Sequence, residues 1–121
     1  MPYRTLYEMT VTDRHSRIIL MHGRSEENMR ERDVENSLVG AVERLGGMCP
    51  KFVSPGLDGV PDRIILMPGA RIAFAELKAP GKKMRPLQVK RKRQLESLGF
   101  RVYCIDRPEQ IGGVLREIQS T

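Results

Sequence analysis

Between residues 30 and 45 the apolar side chains Val34, Leu38, Ala41, Val42 and Leu45 return every three or four positions, the spacing of a helix with one buried stripe. Gly46-Gly47 supplies its stop. The pattern then changes period. DRIILM and RIAFAELKA are short, nearly continuous apolar runs joined by Pro68-Gly69-Ala70, which predicts a hairpin of two buried strands. MCPKFV reads as a short strand that Pro50 confines to an edge or a bend, and SPGLDGVP reads as a loop. Pro86 can open a helix that runs to Leu98 and is closed by Gly99. RVYCI is a buried-type strand, and a last helix from Pro108 has Ile111, Val114, Leu115 and Ile118 as its inner stripe. The order α, β, β, β, α, β, α predicts an α/β fold, a mixed sheet with helices packed against it. Ahead of it, YRTLYEMTV and RIILMH form a candidate β-hairpin. The polar GRSEENMRERD follows, so residues 1–28 read as an extension and residues 29–121 as the domain proper.

The 121 residues suit one core. Aromatics are only 5% and Trp is absent, which argues against a stacking platform for single-stranded bases. Cys49 and Cys104 match no metal-site spacing and are expected to be buried small hydrophobes. Neither a signal peptide nor a membrane-length apolar run is visible, so a cytoplasmic protein is expected. His15 and His22 lie far from the hairpin and receive no role. The charge adds more. Net charge is +6, and from Lys78 to Arg101 nine Lys and Arg face a single acid, Glu96. Such a block attracts a polyanion, with nucleic-acid phosphate preferred over a merely solvated helix face. Lys82, Lys83, Arg85, Lys90, Arg91 and Arg93 are the candidate DNA contacts, although residues 90–93 go all round their helix and only part of the set can reach one backbone.

The chemistry lies at the outer ends of the hairpin. Centring its turn on Gly69 sets Asp62 opposite Glu76, and directly opposed side chains have Cβ atoms about 4.5–5.5 Å apart. Two carboxylates that close repel unless a cation lies between them. A hard divalent ion is the simplest occupant, since Mg²⁺ uses one or two carboxylates with water and substrate phosphate. Strand alternation puts Lys78 on the same face as Glu76, where an ammonium can orient a water and offset phosphate charge. Leu77 points the other way and leaves its backbone carbonyl as a further oxygen ligand. The chemistry implied is metal-assisted phosphodiester hydrolysis. The alternative is a surface cross-strand ion pair between Lys78 and one acid.

GVPD, then ELK fourteen residues after the Asp, then RPLQ opening a helix, together resemble the VRR-NUC domain, the virus-type replication-repair branch of the PD-(D/E)xK nucleases. The likeness spans about Met29 to Ile118. It implies a restriction-endonuclease-like core. Asp62 and Glu76 are then the metal-binding acids, with the Leu77 carbonyl as a further ligand. Lys78 is the catalytic lysine. Glu35, from RDVEN, is the first-helix acid that approaches the metal directly or through water. Gln88 is the glutamine that helps position the water or Lys78. Read without the resemblance, Glu35 is a surface acid pairing with Arg32 or Arg44, and Gln88 is a helix-surface residue.

The expectation is a Mg²⁺- or Mn²⁺-dependent DNA endonuclease, selective for Holliday junctions or other branched DNA, acting as a phage-type homodimer. The N-terminal hairpin is a candidate dimerisation element. A non-catalytic DNA-binding module with the same fold is the alternative, and an enzyme acting on mononucleotides ranks below both.

Overall fold

A computed structural model describes residues 29–121; the candidate hairpin within residues 1–28 lies outside them. Helix α1 spans Glu31–Arg44. Strands β1 (Arg63–Met67) and β2 (Arg71–Leu77) form the hairpin. Helix α2 (Pro86–Ser97) carries the chain to strand β3 (Arg101–Ile105). A 3₁₀ turn at Pro108–Gln110 leads into helix α3, Ile111–Gln119. The sheet order is β1-β2-β3, with β1 antiparallel and β3 parallel to the central β2. The mixed sheet therefore has α2 as its crossover, as a parallel pair requires.

Alternation along β2 divides the molecule into layers. Ala73, Ala75 and Leu77 face α1 and α3 and join Val34, Leu38, Val42, Ile65, Ile105, Ile111, Leu115 and Ile118 in one buried core. Each fully buried Val, Leu or Ile among them contributes about 1.5–3 kcal/mol. The other face is built differently. Phe74 packs between Phe52 and Phe100, with ring centroids 5.5 Å apart in both pairs. Helix α2 crosses this side with no apolar stripe, and Gln88 is its one buried residue.

Two expectations need correcting. MCPKFV does not form a full strand. Met48 and Leu66 exchange backbone hydrogen bonds at 2.9 Å, and Ile64 N–H donates to the Pro50 carbonyl at 3.0 Å. Pro50 has no N–H to return that bond, so the pairing breaks into isolated bridges at Met48 and Lys51. Cys49 is buried as expected, but Cys104 is exposed. β3 is an edge strand beneath the sparsely packed α2, and only Val102 and Ile105 of RVYCI are buried.

Candidate active site

The hairpin register runs Arg63 to Ala75 through Met67 to Arg71, so its continuation sets Asp62 against Glu76. Gly69 (φ 89°) and Ala70 (φ 62°) take left-handed conformations that close the three-residue turn. Asp62 stands just outside β1, and its Oδ2 accepts the Leu77 N–H at 2.8 Å. The approach to Asp62 depends on Gly59, at φ +84°, where a Cβ would sit 2.8 Å from Leu87 Cγ and 2.9 Å from the Leu87 carbonyl oxygen. Only glycine lets the GVPD segment pass this close to the first turn of α2.

Glu76 is 1% exposed, on the α2 face of the sheet. One of its oxygens is crowded and the other is alone. Oε2 accepts Gln88 Nε2 at 2.5 Å and lies 3.4 Å from Lys78 Nζ. Oε1 is buried without a hydrogen-bond partner. Burial, the most effective cause, then the charge of Asp62 push the Glu76 carboxyl up to about 7, against the pull of Lys78. Burial likewise raises Asp62, partly offset by the Leu77 N–H. The Lys78 side chain is 12% exposed. Its backbone N–H donates to the Ile105 carbonyl at 2.9 Å, which ties the end of β2 to the end of β3. Gln88 is equally constrained, because its Oε1 accepts the Arg85 N–H at 2.8 Å and so caps α2. One side chain thus links the start of α2 to the buried glutamate.

Helix α1 brings two acids, one turn apart. Glu35 Oε2 is held by Arg63 Nε at 2.8 Å, while Arg63 Nη1 donates to the Cys49 carbonyl at 2.7 Å. Its ionic partner is Arg63, where the sequence suggested Arg32 or Arg44. Glu31 is the residue that sequence reading passed over. Burial and then Asp62 raise its carboxyl, with Lys78, Glu35 and Arg85 also acting on it, and it in turn raises Glu76. Both acids of α1 therefore act on the carboxylates of the hairpin. The available signal was helical: residues 31 and 35 share a face, so either could serve.

The basic set is dispersed. Lys92 pairs with Glu96 at 2.7 Å and Arg91 donates to Gln94 at 2.9 Å. Lys83, Arg85, Lys90 and Arg93 are exposed, and Lys82 lines a cleft beside Glu31.

The donors fit a hydrated hard cation. Among the described residues no three His, Cys, Asp or Glu side chains come together as a metal-holding group. Mg²⁺ needs no such group, since it keeps several waters and takes one or two carboxylates. An orphaned, buried Glu76 Oε1 beside a second carboxylate is costly in a closed interior and is what such an ion would satisfy. Among the described residues no helix is long and apolar enough to cross a membrane.

No family model matches the chain. A phage protein named "Putative nuclease p44", from Acyrthosiphon pisum secondary endosymbiont phage 1, is 45% identical over 78 residues, 64% of this chain and 84% of that protein. A solved structure described as "VRR_NUC domain" superposes with a TM-score of 0.67 at 25% identity, covering 71% of this chain and 94% of that one. By that relative and that shared fold, the chain belongs to the VRR-NUC family of nucleases.

Proposed function

We propose that this chain is a Mg²⁺- or Mn²⁺-dependent DNA endonuclease that nicks branched DNA as a homodimer in the host-cell cytoplasm. The observation that carries the reading is Glu76, whose Oε2 is saturated by Gln88 and Lys78 while Oε1 is buried without a partner. Asp62, Glu76 and the Leu77 carbonyl would hold the metal, with Glu31 or Glu35 adding a ligand directly or through water. Bound there, the ion would supply a water of lowered pKa and stabilise charge on the phosphate.

The remaining work falls to the protein's own groups. Hydrolysis adds a water oxygen to phosphorus, breaks one P–O bond and delivers a proton to the departing oxygen. The Lys78 ammonium, 3.4 Å from Glu76, would orient that water and offset charge on the phosphoryl oxygens. Gln88 fixes Glu76, and the Leu77 N–H fixes Asp62, so both carboxylates are oriented before substrate arrives. Exposed Lys83, Arg85, Lys90 and Arg93 would contact phosphates irrespective of sequence. With no base-reading element evident among the described residues, DNA shape is the preferred determinant of choice. A two-fold dimer matches the paired strands of a four-way junction.

The test is nicking of a labelled four-way junction beside a linear duplex of the same sequence, with Mg²⁺, Mn²⁺ or EDTA. Symmetric, metal-dependent nicks in the junction alone are expected, and Glu76→Ala should abolish them while leaving DNA binding intact. If Glu76→Ala cuts at the wild-type rate, the site assignment fails. Equal cutting of both DNAs would remove the structure selectivity.

A further inference from the structure

A cleft of about 520 Å³ opens directly after Lys78, between the start of α1 and the loop that follows β2. That volume lies within the roughly 300–1,000 Å³ typical of small-molecule sites and can admit a nucleotide unit. Its cations come from three separate parts of the chain: Arg30 at the N-cap of α1, Lys82 in the loop after β2, and Arg107 in the loop after β3. Among the described residues Glu31 is the one acid on its walls and is shared with the carboxylate site, while Ala79 and Pro80 supply apolar surface.

The walls are pinned. Gly81 N–H donates to Asp106 Oδ2 at 3.1 Å, which ties the Lys82 loop to the end of β3. Gln110 Oε1 accepts the backbone N–H groups of Asp106 and Arg107 at 2.9 and 3.2 Å and so fixes the segment bearing Arg107. Arg30 lies 3.7 Å from Asp33 Oδ2, an exposed i,i+3 pair that costs little to open. Of the cations, Arg107 is half-buried and Lys82 and Arg30 are exposed. A pinned, cation-lined cleft whose wall begins at Ala79, the residue after Lys78, suits a charge that arrives tethered to the scissile phosphate.

We propose that this cleft is a second phosphate subsite, in which Arg30, Lys82 and Arg107 hold the backbone phosphate next to the scissile one on the cleaved strand. The assignment rests on the nuclease reading above. It makes these three positioning residues, and it routes the strand across the start of α1 rather than only along α2.

The test uses DNA in which each phosphate around the cut is replaced, one at a time, by an uncharged methylphosphonate. In the wild type, neutralising one phosphate beside the cut should slow cleavage about tenfold, the scale of one lost charge-assisted hydrogen bond. In Arg107→Ala and in Lys82→Ala that position should become insensitive while the other positions keep their effects. A pattern unchanged from wild type, or a uniform loss at every position, overturns the subsite. If the chain cuts no DNA, the nuclease reading fails and the cleft is read by binding instead. Side-chain ¹⁵N signals of Arg107 in Glu76→Gln protein should then shift with a single-stranded tetranucleotide and not with a mononucleotide. An absent shift, or an equal one with the mononucleotide, overturns the proposal.

Discussion

Glu76 makes the metal-free protein unusual in its response to pH. Its carboxyl is raised from 4.5 to about 7, chiefly by burial. The folded chain therefore holds this proton to higher pH than the unfolded chain does. Where the folded state binds more protons, stability falls as pH rises. The contribution is fully present below pH 4.5 and is lost as pH passes through about 7. At about 1.4 kcal/mol per pH unit, this window is worth roughly 3 kcal/mol. Near-complete burial of the side chain removes the usual solvent discount. Asp62 and Glu31 are raised as well and act with the same sign. Glu76→Gln separates the Glu76 share, because glutamine has nothing to titrate. The assay is urea unfolding followed by circular dichroism in EDTA, at pH 5, 6, 7 and 8. Wild type should lose about 2–3 kcal/mol more than Glu76→Gln between pH 5 and pH 8. Adding Mg²⁺ at pH 8 should restore stability to the wild type alone, because a ligand that binds only the folded state stabilises it by mass action. Parallel pH curves for the two proteins would refute the argument, and so would equal stabilisation of both by Mg²⁺.

Two further outcomes test separate parts of the molecule. Replacing exposed Lys90 and Arg93 by Ala should weaken binding to every DNA tested and lower the slope of log K against log salt by about two, measured by fluorescence anisotropy over a salt series; an unchanged slope would show that α2 does not face phosphate. Arg63→Ala strips the Glu35 carboxylate and the Cys49 carbonyl of a common partner and should cost about 2–3 kcal/mol in urea unfolding. A cost below about 0.5 kcal/mol would mean that the pair is solvated like an ordinary surface ion pair.

What could be read from the chain and what could not divide along the range of the interactions. The hairpin register is local: a three-residue turn at Pro68-Gly69-Ala70 and strict alternation together set Asp62 against Glu76. The order of elements was legible for the same reason, since each stripe, turn and stop depends on neighbours within a few residues. The partial strand at residues 48–51 failed only where Pro50 removed a donor, a local cause visible in the sequence, but whose consequence depends on which residue of β1 lies opposite. The site's finer structure is tertiary throughout. Glu31 and Glu35 share one helical face, so spacing alone cannot rank them. What separates them is Arg63, 28 residues beyond Glu35, which holds the Glu35 carboxylate at 2.8 Å, while both acids act on the carboxylates of the hairpin. Gln88 reads as a helix-surface residue until the crossover lays α2 across β2 and turns it onto Glu76. Arg107 was invisible for a stronger reason. It lies outside the basic block, and no periodicity connects it to Arg30 or Lys82. Only the parallel pairing of β3 with β2, which returns the chain beside Lys78, brings those three charges to one cleft. Sequence pattern thus located the acids of the hairpin, while the partners that orient them, and the cations that would hold DNA around them, depend on contacts between distant segments.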